Sequence, residues 1–536
     1  MLFFETHRFS PATNSVVRET PSDTTLRDTV KLESGVKKNE REDVFAVAEE
    51  YPNDSRYAAS LQMNTEGSIF IDWDGPTDPA NPKNWSVWRK WAITMVPALY
   101  SGISPLASSV ASPGNNLIAA DLHITNPVVL DMTTTIFVLA YAFGPMIFSP
   151  LSEVYGRRRV LHGAHLLFLA FNLGCGFAQT TAQLLIFRFL AGLGGSCPLA
   201  VGGGVISDMW STDDRGQAVN IFSLWPFLGP AIGPIAGSWI AQNTTWRWAF
   251  WSTTIAGAVL LLLGIIVLEE TYAPLILERK AKAHKLILEK KGVLAPEVHV
   301  AGVMKQHWKL LVRKALIRPF QLFFGEAIIQ VFGIYMAFIY GLLYLFLTSM
   351  PGIFKGIYGQ SVGIAGLHYI ALALGIVVGS LANAMLLNKV YNYCRKRNGG
   401  QSKPEFRLPL MIPGSVLLPV GLFLTGWTAR HNIHWIVPDI GIVLVGAGIL
   451  LDFVAIQTYV IDAFALHAAS ALAAVMFIRA LAGFGFPLFS PYMYSALGYG
   501  KGDTILAAFA IAVGCPAPFF FWHVGARFRR KSEYAA

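Results

Sequence analysis

The sequence predicts an all-α integral membrane protein with twelve transmembrane helices in two six-helix bundles. Of its 536 residues, 54% are hydrophobic and only 14% are charged, whereas a typical soluble domain has roughly a quarter charged residues. Long apolar runs recur along the chain, and each is long enough for a helix of ~20 residues to cross a bilayer. Basic residues are concentrated in alternate loops between these runs. That alternation is typical of multi-pass membrane proteins.

Twelve apolar runs are expected to span the bilayer, in two groups of six separated by a mixed-charge stretch. These runs, numbered here as spans one to twelve, cover about residues 91–111, 129–150, 160–179, 184–207, 219–240, 249–268, 323–348, 362–387, 409–428, 436–460, 470–496 and 504–525. The polar composition of the first 84 residues predicts a segment that does not fold alone. The predicted domains are a disordered cytoplasmic N-terminal tail (1–84), a first bundle (85–268), a cytoplasmic linker with amphipathic helices (269–318), a second bundle (319–526) and a cytoplasmic C-terminal tail (527–536).

The distribution of Lys and Arg between the loops predicts the orientation. The even-numbered loops and the C-terminus contain 25 of these residues, and the odd-numbered loops contain four. Because basic loops stay in the cytoplasm, both termini are predicted to be cytoplasmic. The sequon that starts at Asn243 then faces outside and is a candidate glycosylation site. Asn243 lies close to the membrane, so glycan occupancy is left open.

Composition and motif spacing argue against several other functions. The net charge of +9 is explained by the basic loops rather than by a nucleic-acid-binding surface. The four cysteines have neither the spacing of a metal site nor that of a disulfide framework. The sequence contains no recognisable pairing of a nucleophile with a base. We therefore expect a protein that is not an enzyme and that has no cofactor, metal or nucleic-acid partner.

Span five contains two Gly-Pro pairs four residues apart and a further glycine, at Gly229, Pro230, Gly233, Pro234 and Gly237. On a helix the three glycines share one face, which lets another backbone approach closely. The prolines let the helix bend where neighbouring groups satisfy the freed carbonyls. The pattern GPxxGPxxG resembles the antiporter motif of drug:proton antiporters in the major facilitator superfamily. We expect this face to lie at the join between the bundles, against Gly375 and Gly379 of span eight.

The connection between spans two and three reads Ser-Pro-Leu-Ser-Glu-Val-Tyr-Gly-Arg-Arg over residues 149–158. It resembles the superfamily signature GxLaDrxGRR, with serine at the first glycine and Glu153 at the aspartate. The resemblance implies that Glu153 caps a helix end across the domain interface, while an arginine pairs with Asp208 at the end of span four. Such a conformational latch would stabilise one of the two states of an alternating transporter relative to the other. Its members would be Glu153, Gly156, Arg157, Arg158 and Asp208. The alternative is an arginine cluster that only sets topology.

Span four contains Arg188, in a stretch that resembles the superfamily's RxxxG motif. A guanidinium in the apolar slab is costly unless it faces a watery cavity or a partner acid. We therefore expect Arg188 to point inward, and the resemblance implies a role in proton coupling. The alternative is an arginine near the outer interface that reaches water with its long side chain.

The second half supplies most of the other polar side chains within the spans. The candidates for the substrate cavity are Glu326, Gln330, Tyr335, Asn383, Asp452, Gln457 and Arg479. Span one has no acidic residue, so the proton carrier is left open among Asp131, Glu326 and Asp452. Alternatively, Glu326 is an acid at the membrane interface and Asp452 pairs with a neighbouring helix.

Further stretches strengthen the resemblance to fungal twelve-span drug:proton antiporters over about residues 70–526. They include Trp-Arg-Trp-Ala-Phe-Trp at 246–251, Glu-Glu-Thr-Tyr-Ala-Pro at 269–274 and Pro-Glu-Phe-Arg-Leu-Pro at 404–409. The resemblance implies a proton-coupled antiporter of the plasma membrane that exports a drug, toxin or secondary metabolite by alternating access. The alternative is a proton-coupled uptake symporter for a polyamine, vitamin or similar nutrient.

The aromatic residues of the spans favour a small amphipathic or aromatic organic substrate, including cations. The other expected partners are protons and the lipid bilayer, and the protein is expected to be a monomer. The sequence leaves open the identity of the substrate, the direction of transport, the proton-carrying carboxylate, and whether the membrane is plasma or vacuolar.

Overall fold

The computed structural model describes residues 61–63, 69–211, 214–290, 298–300, 308–464 and 468–532, which form two compact units. The smaller unit lies within residues 1–75 and 280–301. Its described part includes a three-stranded sheet of β1 (Leu61–Met63), β2 (Ile69–Ile71) and β3 (Val298–Val300). Strand β2 pairs antiparallel with β1 and parallel with β3.

These strands differ from the expectation of a wholly disordered tail over 1–84. Each strand begins and ends with an aliphatic residue or methionine, a spacing of two that suits a strand with one apolar face. The sheet joins the tail to the linker between the bundles, a pairing too distant in sequence for local patterns to reveal. Residues 1–60 of the predicted tail lie outside the described residues.

The larger unit contains the two predicted groups of six spans. In the first group, spans one to six are the helices Val87–Ser109, Pro127–Tyr155, Arg157–Gly176, Thr181–Met209, Arg215–Asn243 and Arg247–Val267. A short helix, Asn115–Asp121, follows span one. The linker contains the helix Ala273–Lys290.

The second group begins with the helix Trp308–Gly325, which a break at Glu326 separates from span seven. Spans seven to ten are the helices Ala327–Pro351, Tyr369–Arg397, Met411–Thr428 and Ile436–Ala463. Spans eleven and twelve are formed by Ala468–Phe509, the π-helical turn Ala510–Gly514 and Pro516–Lys531. Short helical segments precede spans eight and nine, at Val362–Leu367 and Pro404–Leu410.

The described residues confirm twelve crossings. Ten helical segments are long and apolar enough to span a membrane. The helix Arg157–Gly176 adds another crossing of 20 residues, with three arginines in its first turn. The segment Ser470–Lys531 has 62 residues, and a straight helix of that length would extend about 90 Å, or roughly three bilayer cores. Gly498 breaks it with φ of 72° and ψ of 168°, so this segment contains spans eleven and twelve.

The glycine face of span five packs against span one, within the first bundle. A Cβ on Gly229 would lie 2.3 Å from the carbonyl oxygen of Gly102, and one on Gly237 would lie 2.0 Å from that of Val110. The expected contact with span eight is therefore wrong, because Gly375 and Gly379 pack against the backbone of span ten. Periodicity predicted a close helix contact but did not identify the partner.

Span five meets span eight through a different face. Ser238 lies against Gly366, just before span eight, where an added Cβ would be 2.0 Å from the serine hydroxyl. Pro234 has no N–H to donate to the carbonyl of Pro230, and Ser109 Oγ of span one donates to that carbonyl instead, at 2.9 Å. The proline-bearing helix is thus supported by span one on one side and contacts the second bundle on the other.

We predict that Gly237→Ala destabilises the first bundle, because its new methyl group would collide with the span-one backbone rather than with a movable side chain. Overpacking of this kind costs about 1–3 kcal/mol. The matched control is Gly163→Ala in span three, where an added Cβ meets nothing within 4 Å. Thermal unfolding in detergent should show a lower melting temperature for Gly237→Ala only; equal melting temperatures would contradict the packing described here.

Candidate functional site

A cavity of about 930 Å³ lies between the two bundles. The face that carries the span two–three connection, the end of span six and the start of span nine is called the linker face here, and the opposite face is called the far face. Residues of spans two, four and five line one side of the cavity, and residues of spans seven, ten and eleven line the other. The lining continues to Lys403, Arg407 and Arg529 at the linker face. The cavity therefore opens at the linker face, and its volume suits a drug-sized molecule.

The far face is closed by hydrogen bonds between the bundles. The hydroxyl oxygens of Ser108 in span one and Tyr344 in span seven are 3.0 Å apart. Ser112 Oγ donates to the carbonyl of Leu347 at 3.0 Å, and the backbone N–H of Gly363 donates to Gln242 Oε1 at 2.6 Å. One face is thus open and the other closed, which is one end state of an alternating-access cycle.

Aromatic rings and one arginine form the deep part of the cavity. Phe227 of span five lies edge-on to Phe453 of span ten, with ring centroids 4.4 Å apart. Tyr340 of span seven completes the group, 6.3 Å from Phe227 between centroids. The guanidinium of Arg479 lies 4.7 Å from the Tyr340 ring centroid and 5.1 Å from that of Phe453. Gln457, another predicted cavity residue, also lines the cavity.

The other predicted cavity residues lie elsewhere. Glu326 is the N-cap residue of span seven, where Ser532 Oγ donates to it at 2.6 Å. Gln330 donates to the carbonyl of Phe324 at 3.1 Å. The cavity lining contains neither side chain. Glu326 thus lies at the linker-face end of span seven, which agrees with the interfacial alternative and not with the cavity assignment.

Asp452, Tyr335 and Asn383 are buried inside the second bundle. Tyr335 Oη donates to Asp452 Oδ2 at 2.7 Å, and Asn383 donates to the carbonyl of Leu450 at 3.3 Å. The cavity assignment for these three residues is wrong, because each side chain turns to a neighbouring helix for a polar partner and is absent from the lining. Asp452 Oδ1 and Asn383 Oδ1 have no hydrogen-bond partner among the described residues.

Arg188 is fully buried and faces neither water nor an acid. Its nitrogens donate to the carbonyls of Ala107, Ser108, Thr133 and Thr134 at 2.5–3.2 Å. Ala107 and Ser108 are in the last turn of span one, whose carbonyls lack helical partners and carry the negative end of the helix dipole. Arg188 thus points inward as expected, but backbone carbonyls satisfy its charge in place of a watery cavity or an acid. The alternative of an arginine that reaches water at the outer interface is wrong, because the side chain is fully buried. Asp131 is buried near the start of span two and away from the cavity, and its Oδ2 has no hydrogen-bond partner among the described residues.

The predicted latch residues form a compact cluster at the linker face. Arg157 Nε donates to Asp208 Oδ2 at 3.2 Å, and its guanidinium lies 4.8 Å from the Tyr272 ring centroid. Burial raises the pKa of the Tyr272 phenol, so the ring beside the guanidinium stays neutral. Arg158 donates to the carbonyl of Ile265 at 2.9 Å. All of these partners belong to the first bundle or to the residues directly after it.

Glu270 caps the start of span three, a role that the sequence analysis did not identify. Its carboxylate accepts hydrogen bonds from the backbone N–H groups of Arg157 and Arg158 at 2.8 and 3.3 Å. Gly156 has φ of 90°, and a Cβ there would lie 2.2 Å from Glu270 Oε2. Glu153, by contrast, is exposed and forms no hydrogen bond or ion pair among the described residues. The expectation that Glu153 caps a helix across the interface therefore does not hold in this conformation.

The second bundle repeats this arrangement at the start of span nine. Arg407 Nε donates to Asp462 Oδ2 at the end of span ten at 2.9 Å, and its guanidinium lies 4.1 Å from the Tyr391 ring centroid. Glu405 accepts two hydrogen bonds from Arg529, at 3.1 and 3.0 Å. The structural counterpart of Arg157 is therefore Arg407. Aligning the last polar residues of spans four and ten, Asp208 and Asp462, would have indicated this second pair.

Asn243 is exposed at the far-face end of span five, where its side-chain amide donates to the carbonyl of Trp239 at 2.9 Å. The position is sterically open, so the structure permits a glycan there. Residues Cys175, Cys197, Cys394 and Cys515 are all free thiols.

Comparisons with known proteins identify the family to which the chain belongs. The family model described as "Major Facilitator Superfamily" matches residues 98–487. The chain is 42% identical to "Efflux pump vrtL" of Penicillium aethiopicum over 87% of this chain and 92% of that protein. It is 37% identical to "Efflux pump radE" of Floropilus chiversii over 87% of this chain and 86% of that one.

The fold is similar to that of a solved transporter. A partially occluded, inward-open structure of the xylose transporter XylE from E. coli matches with a TM-score of 0.59 and 17% identity. The match covers 81% of this chain and 98% of that one. At this identity the likeness supports the twelve-helix architecture alone.

We predict that Glu270→Ala destabilises the protein by about 1–2 kcal/mol, because buried N–H groups at the start of span three lose their acceptor. The neighbouring Glu269→Ala is the matched control. It removes only a solvent-exposed pair with Arg89, which is worth about 0.5 kcal/mol. The two melting temperatures measured in the same detergent should differ, with Glu270→Ala the lower; the reverse order would show that the cap is unimportant.

Proposed function

The chain belongs to the major facilitator superfamily, and we propose that it is a proton-coupled efflux transporter for a drug, toxin or secondary metabolite. It is a transporter and not an enzyme. The observation that carries the proposal is the cavity between the bundles, open at the linker face and closed at the far face. A substrate enters from the cytoplasm in this state and leaves after the two halves have rocked past one another.

The direction of transport is inferred from the relatives. The names of two proteins that the chain resembles over more than four fifths of their length contain the words "Efflux pump". Uptake of a polyamine, vitamin or similar nutrient is not favoured by these relatives. We place the protein in the plasma membrane as a monomer with both termini cytoplasmic, because the Lys and Arg residues are concentrated in the loops of the linker face.

We propose Asp452 as the proton-carrying carboxylate. It is the predicted carrier that lies closest in sequence to the cavity wall, since its neighbour Phe453 is part of the lining. Tyr335 donates to one of its oxygens, and the other has no described partner. Tyr335 is also followed by a lining residue, Met336. A proton on Asp452 would therefore change a hydrogen bond between two helices that both form the substrate site.

The other predicted proton-coupling residues would act differently. Arg188 donates hydrogen bonds to carbonyls at the end of span one, including that of Ser108. The hydroxyl of Ser108 in turn contacts Tyr344 at the far-face closure. We propose that Arg188 contributes to coupling by fixing this closure. Glu153 is exposed at the mouth of the open face. We propose that it meets the second bundle only when the linker face closes, and so acts as a latch for that state.

Asp452→Asn should abolish the part of efflux that depends on a pH gradient, because the amide resembles the protonated acid and does not titrate. Substrate binding should be partly retained. Glu326→Gln is the comparison, and we expect it to keep pH-driven efflux because Glu326 lies at the end of span seven. The measurement is a pH-jump flux assay in proteoliposomes. Unchanged transport in both variants would remove Asp452 and Glu326 from the proton pathway.

Tyr344→Phe should favour opening of the far face, because it removes one of the hydrogen bonds that close it. A net loss of 0.5–1.5 kcal/mol corresponds to a shift of about 2- to 10-fold in the equilibrium. Tyr358→Phe is the control, since that hydroxyl donates to Thr428 within the second bundle. Hydrogen–deuterium exchange should rise at the ends of spans one and seven in Tyr344→Phe alone. Equal exchange in the two variants would argue against this closure.

A further inference from the structure

We propose that the transported substrate is an aromatic organic anion, whose acidic group binds Arg479 and whose ring system lies against Phe227, Tyr340 and Phe453. This inference names the substrate class of the cavity and rests on the proposed transport function. It replaces the broader expectation from sequence, which included cations.

The first observation is the electrostatic situation of Arg479. Its side chain is more than nine-tenths buried and lines the cavity. Its described contacts are the two ring faces of Tyr340 and Phe453, and no carboxylate of the described chain forms an ion pair with it. Ring faces recover only part of the hydration that a buried cation loses.

Arg188 shows how this protein satisfies an arginine that is purely internal. Four backbone carbonyls accept hydrogen bonds from that guanidinium, and the cavity does not reach it. Among the described residues, Arg479 has no comparable set of acceptors. Its N–H groups are therefore available to an acceptor that enters the cavity, and a planar guanidinium fits a carboxylate with two parallel hydrogen bonds.

The second observation is the charge of the whole lining. Its charged side chains are Arg215, Lys403, Arg407, Arg479, Arg529 and a single acid, Asp462. Asp462 is already paired with Arg407, and Arg529 is paired with Glu405, which lies outside the lining. Arg215, Lys403 and Arg479 account for the remaining positive charge. The described lining thus offers no free carboxylate to a cationic substrate, and its excess positive charge repels one. The same charge attracts anions from the linker face toward the deep arginine.

The third observation is the apolar and aromatic character of the remaining wall. Rings from both bundles meet beside Arg479, since Phe227 belongs to the first and Phe453 to the second. Aliphatic residues, prolines and Phe222 of spans two, four and five extend the wall, and they include Pro145, Leu199 and Val219. A planar ring system can stack here while its acid reaches Arg479. A sugar or other polyol would find few partners.

The test compares three ligands of nearly equal shape: biphenyl-4-carboxylate, biphenyl-4-carboxamide and biphenyl-4-ylmethylammonium. Their affinities are measured by isothermal titration calorimetry on the purified full-length protein in nanodiscs. The wild type should bind the carboxylate more tightly than the amide and the ammonium most weakly. Arg479→Gln should weaken carboxylate binding by roughly 30-fold or more, since an unpaired buried charge costs about 2 kcal/mol or more. Its affinity for the amide should stay within about twofold.

Two further variants separate charge from folding. Arg479→Lys keeps the charge without the planar fork and should retain part of the preference for the carboxylate. Arg527→Gln removes an exposed arginine outside the lining and should match the wild type. If Arg479→Gln fails to fold, the wild-type comparison of the three ligands decides. Carboxylate binding that is absent, or no tighter than amide binding, overturns the proposal.

Failure of this inference and failure of the proposed function give different results. Preference for the carboxylate in the binding assay, with no pH-driven flux of any of the three ligands in proteoliposomes, would refute proton-coupled efflux and leave the anion site intact. Flux of the amide or the ammonium with no preference for the carboxylate would refute the anion site and leave efflux intact.

Discussion

The structure depends on one constraint: a lipid-embedded helix must find hydrogen-bond partners for its polar groups within the protein. Arg188 illustrates this most fully, because its guanidinium is fixed by carbonyls of spans one and two. Asn172 of span three likewise donates to the carbonyl of Phe250 in span six. Ser109 Oγ donates to the carbonyl of Pro230, which has no helical partner because Pro234 lacks an N–H group. Each contact ties two helices of one bundle together. These contacts within the first bundle stay in place when the bundle moves as a body.

The same constraint distinguishes structural from functional polar residues. Arg188 and Asn383 are buried and donate to backbone carbonyls, so any role that they have in transport is exerted through helix packing and not through contact with the substrate. Arg479 faces the cavity without such acceptors. The pairs Arg157–Asp208 and Arg407–Asp462 are internal to one bundle each. Their similar placement in the two halves is the clearest sign, in the described chain, that one six-helix unit was used twice.

The sequence was sufficient for the fold but only partly for the site. The apolar runs of the sequence identified all twelve spans, because every helix that crosses the bilayer needs a long apolar stretch. The intramembrane arginines were recognised as important because a buried charge is costly wherever it occurs. Local sequence patterns could not show which acceptors surround Arg188 or which helix packs against Gly229 and Gly237. They also could not show that the Asp452 side chain points away from the cavity. Those features depend on how helices far apart in sequence are rotated against each other.

The closure of the far face has a consequence for how the transport cycle responds to its surroundings. Its bonds join hydroxyl, amide and carbonyl groups, as in Ser108–Tyr344 and Ser112–Leu347, whereas the linker face is rich in guanidinium and carboxylate groups. Dissolved ions weaken attraction between full charges far more than between neutral dipoles. We therefore expect ionic strength to affect contacts between charged groups that form when the linker face closes, and to affect the far-face closure much less.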